Sequence, residues 1–202
     1  MRCRPLRWLR TKPTASSASR CLVTAWRLTG ICALTRDVDD GPASHNRVTI
    51  RRSVGGGTPP GYDRVPARLL SDGLMVVTAR VGGVRVDAVI DTGSERSIAN
   101  NALREALAWR RRRGEIASVT DVYGATSEVA LGEIQVAPTI DFGRVKIANV
   151  TLVFGNFHIF QVWGMESRPA IIIGMDVLGT VNALAIDFQR SELYIDSVFH
   201  LG

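Results

Sequence analysis

Cysteine is absent after position 32 of this 202-residue chain: Cys3, Cys21 and Cys32 all lie near the N-terminus. Their spacing fits neither a zinc site nor a disulfide framework, so most of the chain has no thiol nucleophile and no cross-link, and the compartment is unreadable from disulfides. Histidine is almost as scarce. His45, His158 and His200 are scattered with no Ser or Cys in a recognisable setting, which leaves Ser-His-Asp and Cys-His catalysis unsupported. Lysine occurs twice, at Lys12 and Lys146, and acidic residues are missing before Asp37. Long apolar runs are missing as well. The patch from Cys21 to Leu34 is interrupted by Arg27, too short and broken for a transmembrane helix or an ordinary signal-peptide core. Ile31 before Cys32 and Arg20 before Cys21 are not the small residues of a lipoprotein signal. A poor export signal, an organelle-targeting-like segment and a wrongly chosen start codon stay open, and with them a cytoplasmic or an exported protein. No His, Asp or Glu cluster has metal-ligand spacing, and Gly55-Gly56-Gly57 lacks the Lys-Ser/Thr and helix of a phosphate-cradling loop. No metal and no cofactor are expected.

What remains is unevenly charged. Residues 1–68 hold 13 Lys+Arg and 4 Asp+Glu, net +9, and residues 69–202 hold 12 and 15, net −3, for a total of +6. The basic character belongs to the tail. A mildly acidic folded part argues against a nucleic-acid reader, which shows its basic face on the fold itself. The tail leaves membrane association open, but its composition reads first as a disordered extension. Glycines and prolines between Ser53 and Pro66 exclude a helix or central strand, so the chain divides into a basic extension with linker, residues 1–63, and one domain, residues 64–202.

Within the domain, Leu74 to Val81 and Val84 to Ile90 flank Gly82-Gly83 as a hairpin. Ile98 to Arg113, free of Gly and Pro, predicts a helix ended by Gly114, with Arg110 to Arg113 as its solvated C-terminal end. Short apolar runs follow at Ile116 to Val122, Glu128 to Val136, Thr139 to Phe142, Val145 to Phe154 and Phe157 to Val162, and predict a mainly β barrel or sandwich.

Two motifs carry chemistry. Val89-Ile90-Asp91-Thr92-Gly93-Ser94 is an apolar strand that ends in a carboxylate, a hydroxyl and a glycine, and Ile171-Ile172-Ile173-Gly174 lies about eighty residues on. Either alone is weak; in this order, each behind a strand, they are a strong joint signal. With Glu95, Arg96, Ser97 and Ile98 completing the first motif, and Met175-Asp176-Val177-Leu178 and Ala185-Ile186-Asp187-Phe188 after the second, the chain resembles the retropepsin-like aspartic proteases, in their cellular and bacterial branch, over most of residues 64–196. The resemblance implies a closed β-barrel of the acid-protease fold with one or two short helices, one lobe per chain. It implies an aspartic endopeptidase in which Asp91 pairs with Asp91 of a second copy, since one Asp-Thr-Gly supplies half a dyad. Two carboxyls that share one proton activate a water and polarise the peptide carbonyl; that dyad is an established pattern for aspartic proteases.

By the same resemblance Thr92 fixes dyad geometry across the dimer, Gly93 leaves room for substrate backbone and Ser94 supports the turn. Glu95 is a substrate-positioning or interface acid. Val122 to Thr126 is the candidate flap tip, with Tyr123 over the cleft and Gly124 as hinge, and Ile172, Ile173 and Gly174 line the cleft. Asp176 reads more simply as a helix cap and stays outside the catalytic set. The expected partners are a second copy and a protein or peptide substrate. The other class of reading is a retropepsin-fold binding or assembly module that keeps the motif without turnover.

Overall fold

The computed structural model describes residues 30–37, 45–53, 58, 60–108, 118–123 and 129–196. Fourteen strands dominate, joined into one sheet. They are β1 (Gly30–Asp37), β2 (His45–Arg52), β3 (Asp63–Leu69), β4 (Met75–Val81), β5 (Val84–Ile90), β6 (Ile98–Asn100), β7 (Ser118–Tyr123), β8 (Val129–Val136), β9 (Ile140–Phe142), β10 (Val145–Ile147), β11 (Thr151–Gly155), β12 (Ala170–Ile173), β13 (Ala183–Asp187) and β14 (Glu192–Asp196). Three short helices, α1 (Asn101–Ala108), α2 (His158–Val162) and α3 (Met175–Leu178), complete the described elements. None is long and apolar enough to cross a membrane.

The hairpin β4–β5 forms as its sequence predicts. Gly82 and Gly83 sit at φ 54° and 84°, the positive values a two-residue turn needs to match the twist of the strands it joins. From β5 the sheet continues through β12 (parallel), β6 (antiparallel), β11 (parallel), β8 and β7. Alternation then sorts the side chains. Val86, Ala88 and Ile90 of β5 and Ile171 and Ile173 of β12 enter the main core, whereas Val89 and Ile172 enter a second cluster on the opposite face. Strands buried on both faces read as continuous apolar runs, which is why Ala170 to Ile173 shows no polar alternation.

Several expectations are corrected. The sheet is mainly β as expected but not a closed barrel: its path ends at β2 and β7, each paired to one neighbour among the described residues. Closure requires the first and last strands to meet. Only Glu133 to Val136 of β8 pair with β11, so β7 and the rest of β8 run on beyond it as a two-stranded ribbon, the geometry in which twist is strongest, with Val122 and Ala130 packed against the second cluster. The helix predicted from Ile98 starts at Asn101, because Ile98 and Ala99 pair with β12 and the same stretch pairs with β11. Positions 109–117, with the arginine run, lie outside the described residues. Val145 to Phe154 is two strands, broken where Asn149 takes φ 58°. Phe157 to Val162 is helix α2 behind its N-cap Phe157, with Phe157 and Phe160 both buried. Strands β1 and β2 stand in the stretch where no regular structure was expected, β1 pairing with β13 from Ile31 to Thr35, and β3 starts at Asp63, inside the stretch read as excluding a central strand, and runs between β14 and β4.

Candidate active site

Asp91 follows directly on β5 and extends its parallel ladder, its N–H donating to the Ile173 carbonyl at 3.0 Å. The chain then turns at once. Gly93 N–H donates to Asp91 Oδ1 at 2.9 Å and Ser94 N–H to the Asp91 carbonyl at 3.2 Å, an Asx turn inside a β-turn. The carboxyl is thus oriented by its own loop and half-buried at the strand end. By strand alternation it lies on the face of Val89 and Asp87, the face of the second apolar cluster.

The second motif locks this loop from behind. Met175 N–H donates to the Ser94 carbonyl at 2.8 Å, and Asp176 N–H to that of Glu95 at 3.1 Å. Ser97, fully buried, lies between the two segments: its hydroxyl donates to Asp176 Oδ1 at 2.6 Å and accepts from Gly174 N–H at 2.9 Å, while its own N–H donates to Asp176 Oδ2 at 2.9 Å. Gly174 is required by space rather than conformation. Its backbone is extended, but a Cβ there would stand 2.7 Å from the Arg96 carbonyl carbon and 2.9 Å from the Ser94 oxygen. Asp176 therefore does not cap α3, whose N-cap is Gly174 with no side-chain bond; it clamps the Asp91 loop instead.

Asn100 closes the far side. Its Nδ2 donates to the carbonyls of Met165 (2.8 Å) and Arg168 (2.7 Å), and its Oδ1 accepts from Leu103 N–H (3.0 Å) and Ala170 N–H (3.1 Å). A buried amide with all four bonds made fixes the start of α1 against the start of β12. Neither the Asp176 clamp nor Asn100 stood out in the sequence; Ser97 at its place in the motif and an Asn just ahead of a helix were the available signals.

The structure thus brings Asp91, Thr92, Gly93 and Ser94 together with Gly174, all at one end of the β5–β12 pair. Glu95 is exposed beside them. Ile172 faces the same side as Asp91, 4% exposed, and Ile173 faces the main core, fully buried. Tyr123 ends β7, paired with Val129, at the outer end of the projecting ribbon, and Gly124 lies outside the described residues.

A single carboxylate at a strand end is thus turned back by glycine and clamped by a second strand–helix segment. A family model described as aspartyl protease matches residues 77–177, a span that holds both motifs and the ribbon between them, and the chain belongs to this retropepsin-like aspartyl protease family. Among solved structures, a retropepsin-like aspartic protease from Rickettsia conorii is similar at 15% identity and a TM-score of 0.48, covering 72% of this chain and 97% of that one. No curated protein matches this chain.

Proposed function

We propose that this chain is an aspartic endopeptidase that works as a homodimer, in which Asp91 of each copy contributes one carboxyl to a dyad sharing a single proton. The observation that carries the reading is the clamped Asp91 loop: the carboxyl is held at a fixed orientation by Gly93 N–H, and its backbone by Ile173, in a chain with one such motif. In the dimer one carboxyl takes a proton from water as that water attacks the peptide carbonyl, and the other donates to the carbonyl oxygen. Thr92 steadies the paired loops, Gly93 admits substrate backbone, and Glu95 positions substrate from the rim. The β7–β8 ribbon is the flap, excluding water as it closes, and Tyr123 and Gly124 are its covering and hinge residues. Residues 64–202 carry the activity, with β1 and β2 of the N-terminal part joined to the same sheet through β13.

The test is digestion of a proteome-derived peptide library by the full chain, wild type beside Asp91→Asn, read by mass spectrometry from acidic to neutral pH. Cleavages confined to wild type, rising and then falling as the pair loses its protons, support the dyad. A rate that climbs steadily into alkaline pH contradicts it, and no cleavage by a folded, dimeric wild type favours a binding or assembly module without turnover.

A further inference from the structure

The face that carries Asp91 is not open. Across β5, β12 and β6, Val89, Ile172 and Ile98 stand in one row by register, and Asp91 lies two residues beyond Val89, about 7 Å along the strand at roughly 3.3 Å per residue. This row is where a substrate side chain next to the reacting carbonyl would seek apolar contact, yet Val89 is fully buried and Ile172 nearly so. It is buried in the second apolar cluster, to which residues 156–169 contribute Phe157, Phe160 and Met165, 5%, 1% and 0% exposed, and against which Val122 and Ala130 of the β7–β8 ribbon also pack.

This strap is fixed, not poised to move. The Phe157 ring lies over two glycines: a Cβ on Gly155 would come within 2.7 Å of it and one on Gly132 within 3.3 Å, so the backbones of β11 and β8 make a slot for the ring. Trp163 Nε1 donates to Asp72 at 2.9 Å, Asn100 holds the Met165 and Arg168 carbonyls, and Arg168 Nε donates to Asp87 at 2.9 Å. Anchors from five separate elements or loops argue against a lid that swings away and for a permanent wall.

We propose that Phe160, buried by this strap in the same apolar cluster as Val89 and Ile172, is a specificity-determining residue that fills the apolar subsite beside Asp91 and restricts it to small side chains. The proposal rests on the peptidase reading above. In a homodimer the same wall recurs on both sides of the scissile bond. Peptides with Gly, Ala or Ser facing the row are the preferred class, and those with Leu, Phe or Tyr there are excluded by volume rather than by charge.

The experiment is cleavage profiling of a peptide library by the full chain as wild type, Phe160→Ala and Phe160→Leu, with each protein's fold checked by thermal melting. If Phe160→Ala fails to fold, Phe160→Leu, which keeps an apolar plug with less reach, carries the test alone. Support is a wild type that disfavours large residues at a position flanking the cut, with the ratio of large-residue to small-residue cleavage raised about tenfold or more in a variant. A wild type that accepts large residues there, or variants with an unchanged profile, overturns the proposal. A silent wild type awakened by either variant also overturns it, in favour of an occluding segment, whereas silence from every folded form removes the peptidase reading and this inference with it.

Discussion

Replacing Ser97 by Ala deletes one oxygen from a buried junction and leaves two partners unserved. Gly174 N–H, buried and bonded to that oxygen at 2.9 Å, keeps no acceptor, a cost of about 1–3 kcal/mol. The 2.6 Å bond to Asp176 also goes; a bond to a charged group is worth about 1.5–3 kcal/mol, discounted here because Asp176 reaches solvent and regains water. The expected net loss is about 2–4 kcal/mol. Asp176→Ala strips the same junction from the other side, leaving the Ser97 hydroxyl proton and N–H without an acceptor, and falls in the same range. Asp176→Asn keeps one acceptor oxygen and the volume, so about 1–2 kcal/mol is expected. Because Ser97→Ala and Asp176→Ala remove shared bonds, the double variant should cost at least about 1 kcal/mol less than the sum of the singles. Urea unfolding at one fixed protomer concentration measures all four proteins, since association would otherwise shift the midpoints. Single losses under about 0.5 kcal/mol, or additivity within that margin, would refute the clamp.

Two further outcomes follow from local geometry. Gly174→Ala drives a methyl into the backbone of Arg96 and Ser94, so it should destabilise by about 1–3 kcal/mol and, by displacing the loop behind Asp91, reduce peptide cleavage more than stability; unfolding and turnover measured side by side on the variant decide it, and wild-type values for both would sink the packing argument. The Tyr194 hydroxyl is pushed above its ordinary value of 10.0 by burial, then by the hydrogen bond it donates to Glu192 and that carboxylate's charge. The fold holds the neutral phenol, so this stability is whole below about pH 10, where the unfolded chain ionises, and is lost as pH climbs through the higher folded value. Melting temperatures from pH 9 upward should fall less steeply in Tyr194→Phe, and equal slopes would contradict the assignment.

What could be read from the chain beforehand was local chemistry. The β4–β5 hairpin needed only Gly82-Gly83 between two apolar runs, and both glycines take the positive φ that made them a turn signal. The meeting of the Asp91 loop with Gly174 was legible because two motifs in fixed order imply contact, and Ser94, Arg96 and Gly174 do touch through backbone. Non-local pairing was harder to see. Ile98 belongs to a strand only because β11 and β12 lie on either side of it, and residues 98–113 by themselves carry a helical pattern. Phe157 to Val162 is too short for periodicity to separate strand from helix; Phe157, extended at the N-cap of α2, lays its ring over Gly132 and Gly155, and the helix begins after it. Barrel closure depends on how far β7 and β8 project beyond β11, which is a matter of register and not of composition. Buried polar side chains were the least visible. Ser97 and Asn100 look like ordinary loop and cap residues until their partners, more than sixty positions away, are in place.

The bonds around Asp91 divide labour in a way that bears on the proposed dimer. Its backbone and orientation are set entirely within one chain, by Ile173, Gly93 and the clamp behind Ser94. Its carboxyl accepts a single hydrogen bond among the described residues, from Gly93 N–H, although an ionised carboxylate has room for about four. A structural Asp at a turn is normally consumed by the turn, as Asp187 is, with Ser53 Oγ, Gln189 N–H and Arg190 N–H all donating to it. Asp91 is oriented by its own loop, as Asp187 is, but with one hydrogen bond to its carboxyl where Asp187 has three. Rigid placement without internal saturation is what a half-site needs if its missing partner is the same carboxyl on a second copy, and a purely structural Asp has no use for it.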